Sequence, residues 1–510
     1  MGAHRAAASL RAEASLLRPG HNVWRVARAG RAAVLVDAAA YFGALRAAML
    51  RAKRSIIVLA WDLDSRTPFH GEDGATDGLP ESFAGFLNGL IQRNPELEVR
   101  LLLWDYPVLY ALERELFPAR SLALCTPDRI HLCHDDVLPI GSSHHQKLVV
   151  IDDAVAFSGG LDVTIRRWDR PAHALDEPGR RDPAGLPYPP FHDIQLMVDG
   201  PAAAALAELA RSRWTVAAGE RLAPPAVPDD AWPAEIAPQF RDVTVGIART
   251  MPPHDLQRPV REIETLVHDM LQSAERSIYI ENQFISSTKI AATLIERLRQ
   301  RPQLEAVIVT PRTHNGWLEH RVMLTGRIRF AQMLREAGVA DRVRMLYPLV
   351  TDGDREAAVM VHSKLMVIDD RLLRVGSANL CNRSMGADTE CDLVIEARTS
   401  AEQRAITRQR DSLIAEHCGA ALQEVEQAMR DTGSLLATLD RLAGRPHQLR
   451  PIEDGEITPT RAAGGIYRKD VPHALTFVHE LGLQLPLAEG TGQAAARFVA
   501  QAKTAGQAAE

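Results

Sequence analysis

The sequence predicts an α/β protein built from one unit used twice. Three observations carry this expectation. Helix and strand patterns recur in the same order in the two halves of the chain. The strand patterns are short, nearly continuous apolar runs, as in strands buried on both faces. Each copy also holds the same polar spacing, His-x-Lys-x4-Asp. At 510 residues the chain is several times the length of a small domain, with room for two such units. A composition of 46% hydrophobic and 24% charged residues excludes a fibrous or wholly disordered chain.

Residues 1–36 read as a basic N-terminal segment. Up to residue 54 the chain carries ten Lys or Arg against two acids, Glu13 and Asp37. Arginines on solvated helix faces, contact with anionic lipid headgroups and an organelle transit peptide all fit that balance. The first half spans 37–222. Helical periodicity over 37–54 follows a candidate N-cap, Asp37, and runs into the strand pattern SIIVLAWDLDS (55–65). LEVRLLLWD (97–105) is a second strand, and HHQKLVVIDDAVAFSGGLD (144–162) contains the motif. The Pro/Gly-rich stretch 170–190 reads as a long surface loop, and loops of that length are usually functional or mobile.

A Pro-rich linker, 223–240, separates the halves. In the second half, 241–420, residues 261–277 are again helical and precede IYIENQFIS (278–286). LEAVIVTPR (304–312) matches the second strand, and VHSKLMVIDDRLLRVGSAN (361–379) aligns with the first motif without a gap. Residues 421–510 form a C-terminal helical extension and flexible tail, helical to about 444 and rich in Ala, Gly and Gln from 486.

The motif residues are His145, Lys147 and Asp152 in one copy and His362, Lys364 and Asp369 in the other. Each is followed by a glycine pair or its equivalent, Gly159-Gly160 and Gly376-Ser377. Apolar LVVI and LMVI mark strands, so His and Lys, two residues apart, share a face. An imidazole beside a fixed ammonium suits a phosphate: the cation holds the anion while the imidazole attacks phosphorus or passes a proton. Two copies supply the groups for attack on one side of a phosphodiester and protonation on the other. Asp193 and Glu390 begin aligned strands, DIQLMV and ECDLVI. Either carboxylate could accept a His Nδ1–H and fix the tautomer.

These residues resemble the paired HKD signatures of the phospholipase D superfamily. The resemblance extends to GSANLCNRSMGADTE (376–390) and IYIENQFIS, and covers roughly residues 20–420. It implies two phospholipase D-like α/β halves, each a mixed central sheet flanked by helices, forming a pseudo-dimer with one active site at the interface. It also implies that His145 is the nucleophile, forming a phosphohistidine, and His362 the general acid. Lys147, Lys364 and Asn379, with Ser377 beside them, would bind the non-bridging oxygens. Asp193 would orient His145 and Glu390 would orient His362. Asp152 and Asp369, at the far ends of their strands, would anchor the motif. Asp162 stands where the second half has Asn379, and an ionised aspartate would repel phosphate, so it is left out of the site.

The activity this implies is hydrolysis or transphosphatidylation of a glycerophospholipid such as phosphatidylcholine, giving phosphatidic acid. Trp168, Tyr188, Phe191 and Trp317 are candidate headgroup-pocket or interface residues. The alternative is a cardiolipin synthase-like phosphatidyl transferase using phosphatidylglycerol. A nuclease is the weakest reading: the net charge is −6 and no basic-aromatic stripe occurs. No cofactor and no metal are implied, since lysines neutralise the phosphate. The partner expected is a phospholipid membrane surface, approached peripherally, with no nucleic acid.

Five scattered cysteines with no CxxC pair indicate neither a disulfide framework nor a zinc site. His131, Cys133, His134 and Asp135 cluster, but a polar loop after a strand accounts for them. No apolar run reaches 18 residues and no secretory h-region opens the chain, so a cytoplasmic protein, at most peripheral at the membrane, is expected.

Overall fold

A computed structural model describes residues 15–105, 128–139, 141–225, 230–253, 258–313 and 317–453, with side chains from 323 in the last segment. Cys125 (one of the five cysteines), the Trp317 side chain and the C-terminal tail lie outside these residues.

The first half runs β1 (Arg25–Val36), α1 (Asp37–Leu50), β2 (Ser55–Ala60), α2 (Phe83–Arg93), β3 (Glu98–Trp104), β4 (Ile130–Asp135), β5 (Leu148–Ile151), β6 (Val155–Gly159), β7 (Phe191–His192), β8 (Ile194–Asp199) and α3 (Gly200–Ala218). The second runs β9 (Phe240–Met251), β10 (Val260–Arg261), α4 (Glu262–Ser273), β11 (Ser277–Asn282), α5 (Thr288–Gln300), β12 (Glu305–Val309), α6 (Trp317–Glu336), β13 (Val343–Asp352), β14 (Arg355–Ala358), β15 (Met360–Val361), β16 (Lys364–Ile368), β17 (Leu372–Gly376), β18 (Glu390–Glu396) and α7 (Ser400–Cys418). Helices α8 (Leu422–Thr432) and α9 (Leu435–Leu442) and strand β19 (His447–Pro451) follow.

The strand order is a palindrome. In the first half hydrogen-bonded neighbours run β4-β3-β2-β5-β6-β8-β1. In the second they run β13-β12-β11-β16-β17-β18-β9. The two runs meet where β1 pairs antiparallel with β9, in the register Ala29↔Val243. The β2–β3, β3–β4, β11–β12 and β12–β13 pairs are parallel and the other pairs of these runs antiparallel, so the sheet is mixed.

Strand alternation then builds the layers. Ile56 and Val58 face one core with α1 and α2, whereas Ile57 and Leu59 face another with α3. That second core is common to both halves: Val34, Leu196 and Trp214 pack in one cluster with Val245, Leu393, Ile395 and Ile406. A third core, with Ile278, Ile280, Leu266 and Leu294, lies under α4 and α5. Because both faces are covered, strands such as SIIVLA read as unbroken apolar runs rather than alternating ones.

Local signals set the helix ends. Pro starts α3, and Gly219 ends it with φ 71°. Thr399 and Glu402 form a capping box on α7, which Gly419 ends with φ 55°.

Three expectations change. Residues 25–36, assigned to the basic N-terminal segment, form β1, the strand that joins the two halves. The C-terminal extension returns to the sheet, since β19 pairs with β13 from Leu346↔Pro451 to Val350↔His447. The 170–190 stretch is irregular but tied down. The buried Asp169 carboxylate accepts from His173 Nδ1 (3.0 Å), Arg180 Nη1 (3.1 Å) and the Phe191 amide (2.9 Å), and Arg180 Nε donates to the Tyr188 carbonyl. Its composition signalled irregular backbone, and the buried bonds that hold that backbone run within residues 169–191.

Candidate active site

Both motifs begin where their strands enter the sheet, and the chain just before each motif reaches across to the other half. The His145 amide donates to the Thr389 carbonyl, and the Thr389 amide to the Ser143 carbonyl. In the same way β15 pairs parallel with β7, and the His362 amide donates to the His192 carbonyl. Each motif therefore lies beside the strand start of the opposite half.

This exchange crosses the histidine–carboxylate pairs. His145 Nδ1 lies 3.0 and 2.9 Å from the two Glu390 oxygens, and His362 Nδ1 lies 2.6 Å from Asp193 Oδ2. The expected assignment, Asp193 to His145 and Glu390 to His362, is the reverse of what the structure holds. The repeat alignment paired each histidine with its own half, but contact follows the backbone bonds between halves. With Nδ1 engaged, Nε2 of each ring is left as the reactive nitrogen.

The histidine side chains are 16% and 13% exposed, while both carboxylates and both lysines are buried, so a substrate reaches the imidazoles first. Lys147 Nζ lies 3.2 Å from Asp162 Oδ2 and 5.8 Å from the Trp61 ring centre. Lys364 Nζ donates to Gln283 Oε1 (3.1 Å) and to the His362 carbonyl. Asp162 thus belongs to the site after all, as the counter-charge of Lys147. Ser377, expected to touch substrate, instead donates to Glu390 Oε2 at 2.5 Å. Asn379 is buried, and its amide oxygen has no hydrogen-bond partner among the described residues.

Asp152 and Asp369 anchor the motif strands. Asp152 accepts from the amides of Lys53, Arg54 and Ser55 at 2.6–2.8 Å, and Asp369 from those of Glu275, Arg276 and Ser277 at 2.8–2.9 Å. Both sit at positive φ, 48° and 53°, which a short acidic side chain tolerates. Gly160 makes room for a carboxylate: a Cβ there would lie 2.1 Å from Asp193 Oδ1.

Burial dominates the electrostatics. It holds both imidazoles well below their ordinary value, helped by Lys147 and Lys364 at His145 and by Lys364, Arg167 and Lys147 at His362. The two motifs are brought together by geometry, since each histidine's carboxylate partner stands at a strand start of the other half. Burial also raises Glu390 well above the usual carboxylate range and raises Asp193. It lowers Lys364 to about 7 against the pull of Asp193. The resting site therefore holds neutral imidazoles, and an entering anion would favour their charged forms and that of Lys364.

Sequence reasoning missed Trp61, Gln283, Arg167 and Thr389. Trp61 and Gln283 were findable, because each directly follows its repeat's first strand pattern, one residue after Ala60 and Asn282. Of the aromatic candidates, Phe191 sits 5.5 Å from the His362 ring. Trp168 is buried with its Nε1–H on the His70 carbonyl, and Tyr188 donates to the Trp168 carbonyl, so these two hold the loop. The cluster at 131–135 lies along β4, where neighbours turn to opposite faces, and Asp135 pairs with His144 and Arg213.

Residues 267–410 match the family model described as cardiolipin synthase, PLD-like domain. Phospholipase D A of Dictyostelium discoideum is 24% identical over 428 residues, covering 71% of this chain and 32% of that protein. Phospholipase D beta 2 of Arabidopsis thaliana is 24% identical over 404 residues, covering 54% and 43%. A crystal structure of a Haemophilus influenzae phosphatidylserine synthase aligns with 82% of this chain and 98% of its own, at 14% identity and TM-score 0.49. The chain spans less than half the length of these curated relatives. Over most of its own length it is similar to phospholipases D.

Proposed function

We propose that this phospholipase D-like chain cleaves the distal phosphodiester of a glycerophospholipid such as phosphatidylcholine and transfers the phosphatidyl group to water or a small alcohol. The observation that carries the reading is the pair of crossed dyads, His145–Glu390 and His362–Asp193, with Lys147 and Lys364 beside them. By family resemblance His145 is the nucleophile. Its Nε2 lone pair forms the P–N bond while Glu390 supports the charge growing on the ring. His362, protonated at Nε2 as the anionic substrate enters, gives that proton to the leaving alcohol's oxygen as the P–O bond breaks. His362 then takes a proton from the incoming water or alcohol, whose oxygen attacks phosphorus and releases His145. The two lysines neutralise the equatorial oxygens of the transition state.

The test is product analysis with phosphatidylcholine vesicles in dilute ethanol. Phosphatidic acid plus phosphatidylethanol is expected, with both products reduced at least ~10³-fold in His145→Ala and in His362→Ala. Products that persist in either variant would remove the mechanism. The match of 267–410 to a cardiolipin synthase family supports a second reading, with phosphatidylglycerol as donor and acceptor. Cardiolipin formed from phosphatidylglycerol alone, with phosphatidylcholine untouched, would select it.

A further inference from the structure

Behind Asp193 lies a second group of titratable side chains that the reaction does not use. Asp37 opens α1, His173 comes from the 170–190 stretch, His192 precedes Asp193, and Glu416 projects from α7. One ligand atom from each falls within 4.8 Å of all the others, and all four side chains are at least nine-tenths buried.

The outer nitrogen of each ring is already committed. His173 Nδ1 lies 3.0 Å from Asp169 Oδ2, a carboxylate braced by Arg180, and His192 Nε2 lies 2.8 Å from Glu281 Oε2. If those nitrogens carry the ring protons, His173 Nε2 and His192 Nδ1 turn lone pairs inward, toward two more carboxylates. His192 Nδ1 sits 3.0 Å from Asp37 Oδ1 and 2.8 Å from Glu416 Oε1, and His173 Nε2 sits 3.6 Å from Asp37 Oδ2 and 3.2 Å from Glu416 Oε1.

Lone pairs facing carboxylates require positive charge between them: two further protons or one divalent cation. Protons serve part of the group, because His173 Nε2 can donate to Glu416. They do not serve all of it. Neither His192 Nδ1 nor Asp37 Oδ2, both buried, makes an aligned hydrogen bond among the described residues. The four histidine–carboxylate separations, 2.8–3.6 Å with both Asp37 oxygens used, lie near the roughly 3.4 Å edge of a tetrahedron with metal–ligand bonds of about 2.1 Å, and one ligand atom from each residue lies within 4.8 Å of all the others. Histidines whose second nitrogens are held by carboxylates are what such centres need to fix the ring and raise its basicity.

We propose that Asp37, His173, His192 and Glu416 bind a first-row divalent metal ion, zinc matching the donor set and geometry best. Four protein ligands close the coordination shell, so the ion is structural and takes no part in phosphoryl transfer. It fastens the backbone on either side of Asp193: the Asp37 amide donates to the Asp193 carbonyl, and the His192 carbonyl accepts from His362. It also ties the first half to α7.

The experiment uses the full chain, expressed with zinc and dialysed, with metal content measured by elemental analysis. About one zinc per chain is expected, and stripping with a strong chelator should lower Tm by several degrees, restored by stoichiometric zinc. X-ray absorption on the loaded protein should show two imidazole nitrogens and two oxygens at about 2.0–2.1 Å. Glu416→Gln and His173→Gln should each lower zinc retention at least tenfold while the helical circular dichroism stays at the parent level. Well under one zinc per chain with no Tm response to added zinc would show a hydrogen-bonded ion-pair network only. A sulfur-containing shell, or full retention in both variants, would put the metal elsewhere and overturn the assignment.

Discussion

At the scale of single residues the site is governed by which carboxylate each imidazole meets. The crossed pairs predict how variants will group. With a lipid analogue whose leaving group is a nitrophenolate, protonation of the leaving oxygen is no longer needed. Release of the first product should then recover at least tenfold in Asp193→Asn and His362→Ala relative to the natural substrate, and stay suppressed in Glu390→Gln and His145→Ala. Asp193→Asn grouping with His145→Ala would contradict the observed contacts. The lysine predicts a pH dependence. Lys364 is charged below about 7 and loses its proton as pH rises through that value. Affinity for the phosphodiester should fall with it, giving kcat/KM an alkaline limb near 7. Both histidines are held well below their ordinary value, so no acid limb should appear at 6.5. Lys364→Arg, which stays charged, should lose the break near 7 and keep only the fall that accompanies deprotonation of the general acid His362, as a pH–rate series would show.

At the scale of elements, the ends of the strands do the positioning. Asp152 and Asp369 each collect three backbone amides from the turn before a neighbouring strand. Asp152→Ala removes these charge-assisted bonds and should cost about 2–4 kcal/mol in denaturant unfolding, with the rate per folded molecule changed far less. Gly160→Ala is the converse case. Its methyl group would overlap the Asp193 carboxylate, so activity should fall at least tenfold through displacement of Asp193, with about 1–3 kcal/mol lost in stability. Equal effects of these two substitutions on rate per folded molecule would refute the separation of anchoring from positioning.

Over the whole molecule, the β1–β9 pairing and the core shared by both halves make the two repeats one folding unit. Leu393 is fully buried in that core, and Leu393→Ala should lower stability by about 2–5 kcal/mol. Fluorescence from Trp214, in the first half but in the same core, and the helical signal should melt together in both the parent and the variant. Two separated transitions would mean that the halves fold independently.

The sequence by itself determined the duplication, the strand runs and the polar residues at their ends. Burial on both faces writes an unbroken apolar run, and a strand start followed by His-x-Lys is readable because both signals are local. The sequence placed Asp152 and Asp369 at the far ends of their strands, and the family resemblance implied their anchoring role there. Only the tertiary structure decided that Glu390 serves His145 and Asp193 serves His362, that Ser377 holds a carboxylate and that Asp162 neutralises Lys147. It alone gathers Asp37, His173, His192 and Glu416, which are spread over nearly 380 residues, into one buried group. These outcomes depend on backbone pairing between segments far apart in the chain, such as β7 with β15 and His145 with Thr389. Spacing within a segment carries no information about which distant segment will lie beside it.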